Sequence, residues 1–148
     1  DMIIFTVGRS DVQLDLNRAL YEIHCEKPVI YAWLEAGGTY SHILVVDYSK
    51  RGCFECLYTD NKGMITNNKA NILSDEQIST NIIRNGCGGT RVAYGTEILL
   101  RTGSAILNTV KKVFNNAFET NALINIDDST VNNIANSFFE GTCRCCGH

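Results

Sequence analysis

Four cysteines restrict this chain more than any other feature. Cys53 and Cys56 form one C-x-x-C pair, Cys143 and Cys146 form a second, and 86 residues separate the two. Two residues between ligands let a tight turn aim both sulfurs at one ion, and four thiolates make a closed tetrahedral zinc site. Gly52 precedes the first pair and Gly147 follows the second, where close backbone turns favour glycine. Zinc held this way clamps the end of the chain to its early part instead of organising a small finger. Four protein ligands leave no open position, so the expected ion is structural and not catalytic. Cys145 and His148 compete as ligands with the second pair, and spacing favours Cys143 and Cys146. The alternative is a set of core thiols or an adventitious disulfide.

The chain has 148 residues and seven cysteines, 45% hydrophobic and 20% charged residues, and a formal net charge of -3. This is the composition of one globular domain with room for a core. The mildly acidic balance excludes a general nucleic-acid binder, which needs a basic stripe. No apolar run approaches the ~20 residues of a membrane span, and no signal peptide opens the sequence. An odd cysteine count in C-x-x-C pairs points to a reducing, cytoplasmic setting. Because the first residue is Asp1, the chain reads as a piece of a longer polypeptide.

The pattern along the chain predicts an α/β fold. Residues 2–7 are a nearly continuous apolar run, as in a strand buried on both faces. Residues 11–24 follow with Val12, Leu16, Ala19, Leu20 and Ile23 on one helical face, and with Ser10 or Asp11 able to cap the start. After Pro28 comes a second apolar run, Val29–Leu34. Strand, helix and strand in 34 residues make a βαβ unit with parallel pairing. Tyr40–Tyr48 predicts a further strand, at or beyond the switch away from the parallel sheet. Residues 59–86 are polar and asparagine-rich, a long connection with one helical turn near Asp75–Ile78. Thr96–Phe114 carries a helical stripe of Ile98, Leu99, Thr102, Ala105, Ile106, Thr109, Val110 and Val113. Gly103 and Ser104 beside it would admit a close neighbour. Leu123–Ile126 predicts a short strand, and Ser129–Phe139 a short helix or a strand pair.

Cys87 stands apart from both pairs, in Gly86-Cys87-Gly88-Gly89-Thr90-Arg91. Arg84 and Arg91 flank it and favour thiolate. The bare glycines would let a carbonyl substrate approach, and their N–H groups could stabilise an oxyanion. No His/Asn partner of a papain-like protease is evident. Among other candidates, His42 reads as a packed strand histidine and His24 as a helix-end residue. Trp33, Tyr31, Tyr40 and Tyr48 read as core. Glu35 follows a strand end, where α/β proteins place functional groups, although a polar turn residue is the plainer reading. Asp127 and Asp128 read as a solvated turn, and Cys25 as a small buried apolar residue.

Taken together, Lys27-Pro28-Val29-Ile30, Gly52-Cys53-Phe54-Glu55-Cys56-Leu57, Cys87-Gly88-Gly89-Thr90-Arg91 and Cys143-Arg144-Cys145-Cys146-Gly147 resemble the C-terminal half of the HesA/MoeB/ThiF family of ubiquitin-activating-type adenylating enzymes. Tyr31-Ala32-Trp33-Leu34-Glu35-Ala36-Gly37-Gly38 with Ser41-His42 looks closest to the ThiF-like activating domains of bacterial anti-phage cyclic-oligonucleotide (CBASS) systems. The resemblance implies a Rossmann-like adenylation domain with a structural zinc on Cys53, Cys56, Cys143 and Cys146. It implies a parent enzyme that uses ATP and Mg2+ to adenylate the C-terminal carboxylate of a ubiquitin-like or similarly activated protein. Cys87 would capture that carboxyl as a thioester and pass it to a conjugating enzyme. A homodimer is also implied. The family's glycine-rich nucleotide turn is absent from these residues, and Thr6-Val7-Gly8 stands where a magnesium-binding aspartate is expected, with Asp11 a few residues on. The fragment alone is therefore expected to be inactive. Two alternatives are a sulfur-carrier adenylyltransferase without a thioester step and a non-catalytic zinc-stabilised binding or dimerisation module.

Overall fold

In the computed structural model, which describes residues 1–84, 90–92, 95–127, 131–135 and 143–147, a mixed sheet forms the centre of an α/β fold. Strand β1 (Ile3–Phe5) leads through helix α1 (Ser10–Glu22) to strand β2 (Val29–Leu34), and β1 and β2 pair in parallel with Ile4 opposite Ile30. Strand β3 (Ser41–Val46) returns antiparallel to β2, with Tyr31 opposite Leu44. A single 3-10 turn, Phe54–Tyr58, follows. Helix α2 (Asp75–Thr80) precedes a two-stranded ribbon of β4 (Ile82–Arg84) and β5 (Thr90–Val92). Helix α3 (Thr96–Phe114) leads to β6 (Ala122–Ile126) and β7 (Val131–Ala135), which complete the sheet in the order β1-β2-β3-β6-β7. Only the β1/β2 pair is parallel in this sheet as described, so the change of direction falls between β2 and β3, where the sequence places it.

β2 and β3 are apolar almost throughout because both sheet faces are covered. On one face Val29, Tyr31, Trp33, Leu44, Val46 and Leu123 meet Phe54, Leu57 and the four paired cysteines, with Leu14, Leu20 and Tyr21 of α1 packed alongside. On the other face Ile30, Ala32, Ile43, Val45, Ile124 and Ile126 meet Ile98 of α3, flanked by Ala105, Ile106, Val110 and Val113. The result is helix, sheet, helix: a three-layer solution that buries both faces of the sheet.

α3 follows its predicted stripe except at Leu99, which is half exposed. α1 departs from its predicted face. Its buried residues are Gln13 and Asn17, while Ile23 is exposed. For Asn17 the reason lies beneath the helix, where sulfurs and the Phe54 N–H need polar partners; Gln13 Nε2 is buried without a hydrogen-bond partner among the described residues. Neither Ser10 nor Asp11 caps α1; Arg9 holds the N-cap position without a side-chain cap bond and pairs with Asp11. Cys25 is half-buried, not fully buried. Residues 131–135 form a single strand that pairs with β6, in place of the short helix or strand pair expected over 129–139, and the remainder of that segment lies outside the described residues.

The polar connection after residue 59 is tied down by its own side chains. Asn67 donates to Asp75 at 2.7 Å, and Asn68 donates to Tyr58 Oη at 3.1 Å. Ser74 and Gln77 form a reciprocal capping box at the start of α2. Asn81, at the end of α2, reaches the Ala36 carbonyl at 3.4 Å. It also crowds Gly37, whose φ of +106° and contact with Asn81 leave no room for a side chain; a Cβ there would lie 2.6 Å from Asn81 Nδ2. Gly37→Ala should therefore destabilise the fold by at least about 1 kcal/mol, read from urea unfolding midpoints. The cost should shrink in the Gly37→Ala/Asn81→Ala double variant, in which the clash is gone and only the backbone strain remains.

Candidate metal centre

The two C-x-x-C pairs meet. The Cys53, Cys56, Cys143 and Cys146 sulfurs all lie within 4.8 Å of one another, and all four residues are buried. Cys53 Sγ is 3.6 Å from Cys143 Sγ, Cys56 Sγ is 3.6 Å from Cys146 Sγ, and Cys143 Sγ is 3.3 Å from Cys146 Sγ. A tetrahedron with Zn–S bonds of about 2.3 Å has sulfur–sulfur edges of about 3.8 Å. The cluster therefore has the donor set and nearly the size of a four-thiolate zinc site.

Local backbone structure aims these sulfurs. The 3-10 turn begins at Cys53, so the Cys56 N–H bonds the Cys53 carbonyl at 3.1 Å and the Cys53 N–H points at Cys56 Sγ at 3.4 Å. At the other end, the Cys146 N–H points at Cys143 Sγ at 3.2 Å, and the Gly147 N–H bonds the Cys143 carbonyl at 3.1 Å. Gly147 has φ +66°, a conformation that glycine adopts freely. Hydrogen bonds from Cys146, Cys53 and Cys56 push the Cys143 thiol down, and donation to Cys143 pushes Cys53 and Cys56 up. Four thiolates this close repel one another, and a dication is what lets all four be charged together.

α1 lies over the cluster. Asn17 is fully buried there. Arg18 grips Glu55, inside the first C-x-x-C, at 2.6 Å. Cys145 is half-buried and lies outside the four-sulfur group, as the spacing argument expects. His148 lies outside the described residues.

A second buried polar group joins the sheet to the connection after residue 59. His42 and Glu35 are both buried, with His42 Nε2 2.6 Å from Glu35 Oε1 and His42 Nδ1 2.7 Å from Asn125 Oδ1. Trp33 stacks on the His42 ring at 5.1 Å between centroids. The Glu35 carboxylate also accepts the Ile72 N–H at 2.7 Å and the Leu73 N–H at 2.9 Å. His42 is thus the packed histidine that the sequence suggests, but Glu35 is more than a turn residue: it anchors a distant loop. The alternation in Ser41–Val46 gives no sign of this pairing, which depends on the strand register.

Two clefts open at the carboxyl ends of β1 and β2, the edge where α/β sheets bind ligands. One, about 380 Å³, is lined by Gly8, Trp33, Tyr58, Asn67, Asn71 and Asp75 among others. The other, about 370 Å³, lies between Thr6-Val7-Gly8 and α3. Trp33 Nε1 is buried and finds no hydrogen-bond partner among the described residues. The sequence contains no G-x-G-x-x-G turn, and the exposed Asp11 carboxylate pairs with Arg9. No chemical step with a nucleotide or magnesium is assigned to these residues.

Cys87 lies outside the described residues, as does Asp128. The strands on either side of Cys87 in the chain, β4 and β5, pair antiparallel with Arg84 opposite Thr90. Both ends of this excursion root at the turn after β2. Asn81 contacts Ala36 and Gly37, and a Cβ on Gly95 would lie 3.6 Å from the Gly38 carbonyl. His24 is exposed with φ +50° at the end of α1, and Tyr31 and Tyr48 are joined by a 2.8 Å hydroxyl contact beneath the same helix. Among the described residues, no helix is long and apolar enough to cross a membrane.

No family model matches the chain, and no curated protein matches it either.

Two outcomes follow from this geometry. The purified chain should carry one zinc per molecule by plasma mass spectrometry, and Cys56→Ser or Cys146→Ser should abolish that stoichiometry and lower the melting temperature. A chain with full thermal stability and no metal after purification in zinc-containing medium would contradict the assignment. The second concerns Glu35. Burial alone would raise its carboxyl, but the hydrogen bonds from His42, Ile72 and Leu73 outweigh burial and hold it below the usual 4.5. A lowered folded value means its stabilisation is complete above about pH 4.5 and is lost as pH falls through the folded value. The protection factors of the Ile72 and Leu73 amides, taken relative to the intrinsic exchange rate at each pH, should fall on acidification, and Glu35→Gln should show weakened protection already at neutral pH; equal protection in the variant would refute the anchor.

Proposed function

We propose that this chain is the C-terminal half of a ThiF-type adenylation domain of the HesA/MoeB/ThiF class, working within a longer enzyme that activates the carboxyl terminus of a small protein. In the parent enzyme that carboxylate attacks the α-phosphorus of ATP and pyrophosphate leaves. The Cys87 thiolate then attacks the acyl carbon, AMP leaves, and a thioester forms. A conjugating enzyme's cysteine takes the acyl group next, freeing Cys87. A thiolate suits both roles, since it attacks an activated acyl group and departs readily.

The observation that carries the reading is the four-cysteine centre together with the sheet around it. A parallel βαβ unit turns antiparallel at β3, and the centre fastens the chain's last cysteines to the turn just after β3. This is the order of elements that the motif resemblance implies. The rooting of the β4–β5 excursion beside Gly37 and Gly38 supports the role of Cys87, because it ties that segment to the end of β2 where ligand sites form. Residues holding ATP and Mg2+ belong, on this reading, to polypeptide beyond these 148 residues. A homodimer is part of the proposal: Leu100, Leu107 and Phe114 repeat every seven residues along α3 and are 71%, 65% and 63% exposed, a stripe that a second copy could cover.

The test is made in the intact parent enzyme. Cys87→Ala should abolish a dithiothreitol-sensitive adduct with the activated protein, while ATP–pyrophosphate exchange persists. Exchange and product formation without any thiol-sensitive adduct would favour a sulfur-carrier adenylyltransferase. No exchange at all, with Cys87 inert to alkylation, would leave a zinc-stabilised binding or dimerisation module.

A further inference from the structure

Five sulfurs, not four, crowd the metal centre, and one buried amide touches two of them. Asn17 Nδ2 lies 3.5 Å from Cys53 Sγ and 3.3 Å from Cys145 Sγ. The orientation of that amide is fixed by its other end. The Phe54 N–H, which can only donate, meets Asn17 Oδ1 at 3.1 Å, and the Tyr48 hydroxyl meets the same oxygen at 3.2 Å. Turning the amide over would set N–H against N–H, so the donor end must face the sulfurs. The oxygen is held by Phe54, the residue that follows Cys53, so the amide and the first C-x-x-C turn are positioned as one unit.

We propose that Asn17 is the outer-sphere partner of the metal centre: it donates to the metal-bound Cys53 sulfur, and with its second N–H it holds Cys145 beside the centre as a thiol that is not a ligand. Cys53 and Cys145 would otherwise compete, since the segment Cys143–Cys146 offers three sulfurs within four residues. The geometry separates them. Cys53 is fully buried inside the four-sulfur group, whereas Cys145 is half-buried outside it. Four thiolates around a dication carry a net double negative charge, and N–H donors aimed at the sulfurs disperse it. The backbone supplies two such donors, from Cys53 to Cys56 Sγ and from Cys146 to Cys143 Sγ. Asn17 adds a donor from a side chain, and a charged acceptor makes that hydrogen bond a strong one. This inference rests on the metal reading of the cluster and is independent of the thioester reading of Cys87.

The experiment is a Co2+ titration of the 148-residue chain, followed by competition with Zn2+, in the wild type and three variants. Asn17→Asp keeps an oxygen for Phe54 and Tyr48 but replaces the donor with an acceptor. It should lower metal affinity about 10–100-fold at unchanged stoichiometry and shift the thiolate-to-cobalt charge-transfer band, with the metal-free far-ultraviolet circular dichroism unaltered. Cys145→Ser should keep one metal per chain and the wild-type cobalt spectrum. Cys53→Ser should lose one thiolate's share of the charge-transfer intensity and most of the affinity. Unchanged affinity and spectrum in Asn17→Asp would overturn the proposal. So would a Cys145→Ser variant as impaired as Cys53→Ser, a comparison that stands even if Asn17→Asp does not fold. A wild-type chain that binds no cobalt would instead bring down the metal reading itself.

Discussion

Everything on one face of the sheet is organised around four thiols brought together from positions 90 residues apart. A crosslink that closes a long stretch of chain restricts the unfolded ensemble more than one that closes a short stretch, although the gain grows only logarithmically with length. Here the closure also sets geometry. Phe54 and Leu57 belong to the same turn as Cys53 and Cys56, so fixing the sulfurs presses both side chains into the core beside Tyr31 and Trp33. The four-cysteine cluster and the apolar core on this face are therefore one structural unit. Removing one of these side chains loosens packing as well as the candidate metal site.

The second dependency runs through Glu35. A buried carboxylate is costly unless it is hydrogen-bonded and paired. Glu35 meets that requirement with a histidine from β3 and two backbone N–H groups from the connection that precedes α2. Burial of this group thus forces an otherwise polar, weakly packed segment to lie against the end of β2. Asn67 and Asn68 of that segment then satisfy Asp75, Tyr58 and the Ala70 N–H, which explains why asparagines gather where no periodic pattern exists.

How much of this could be read from the residues alone depends on what carried each feature. Period and spacing report directly on elements and ligands, so β2, β3, α3 and the four clustered cysteines were legible. The α1 face was not, because hydrophobic periodicity assumes that a helix buries its apolar side. α1 instead turns Gln13 and Asn17 toward the core, and the signal would have been a polar residue at the four-residue spacing of a buried stripe. Glu35 and His42 were individually visible, but their union needs the hairpin register that sets Trp33 opposite His42. Cys87 was singled out by its glycines, and it falls outside the described residues.

These dependencies converge on the turn at Ala36–Gly38. Glu35 fixes its start; Asn81 and Gly95 meet it from the two ends of the segment that includes Cys87. Gly37 has φ +106° and packs against the Asn81 side chain, so a Cβ there would strain the backbone and displace the Asn81 amide. That turn continues β2, whose Trp33 belongs to the same buried core as the four cysteines.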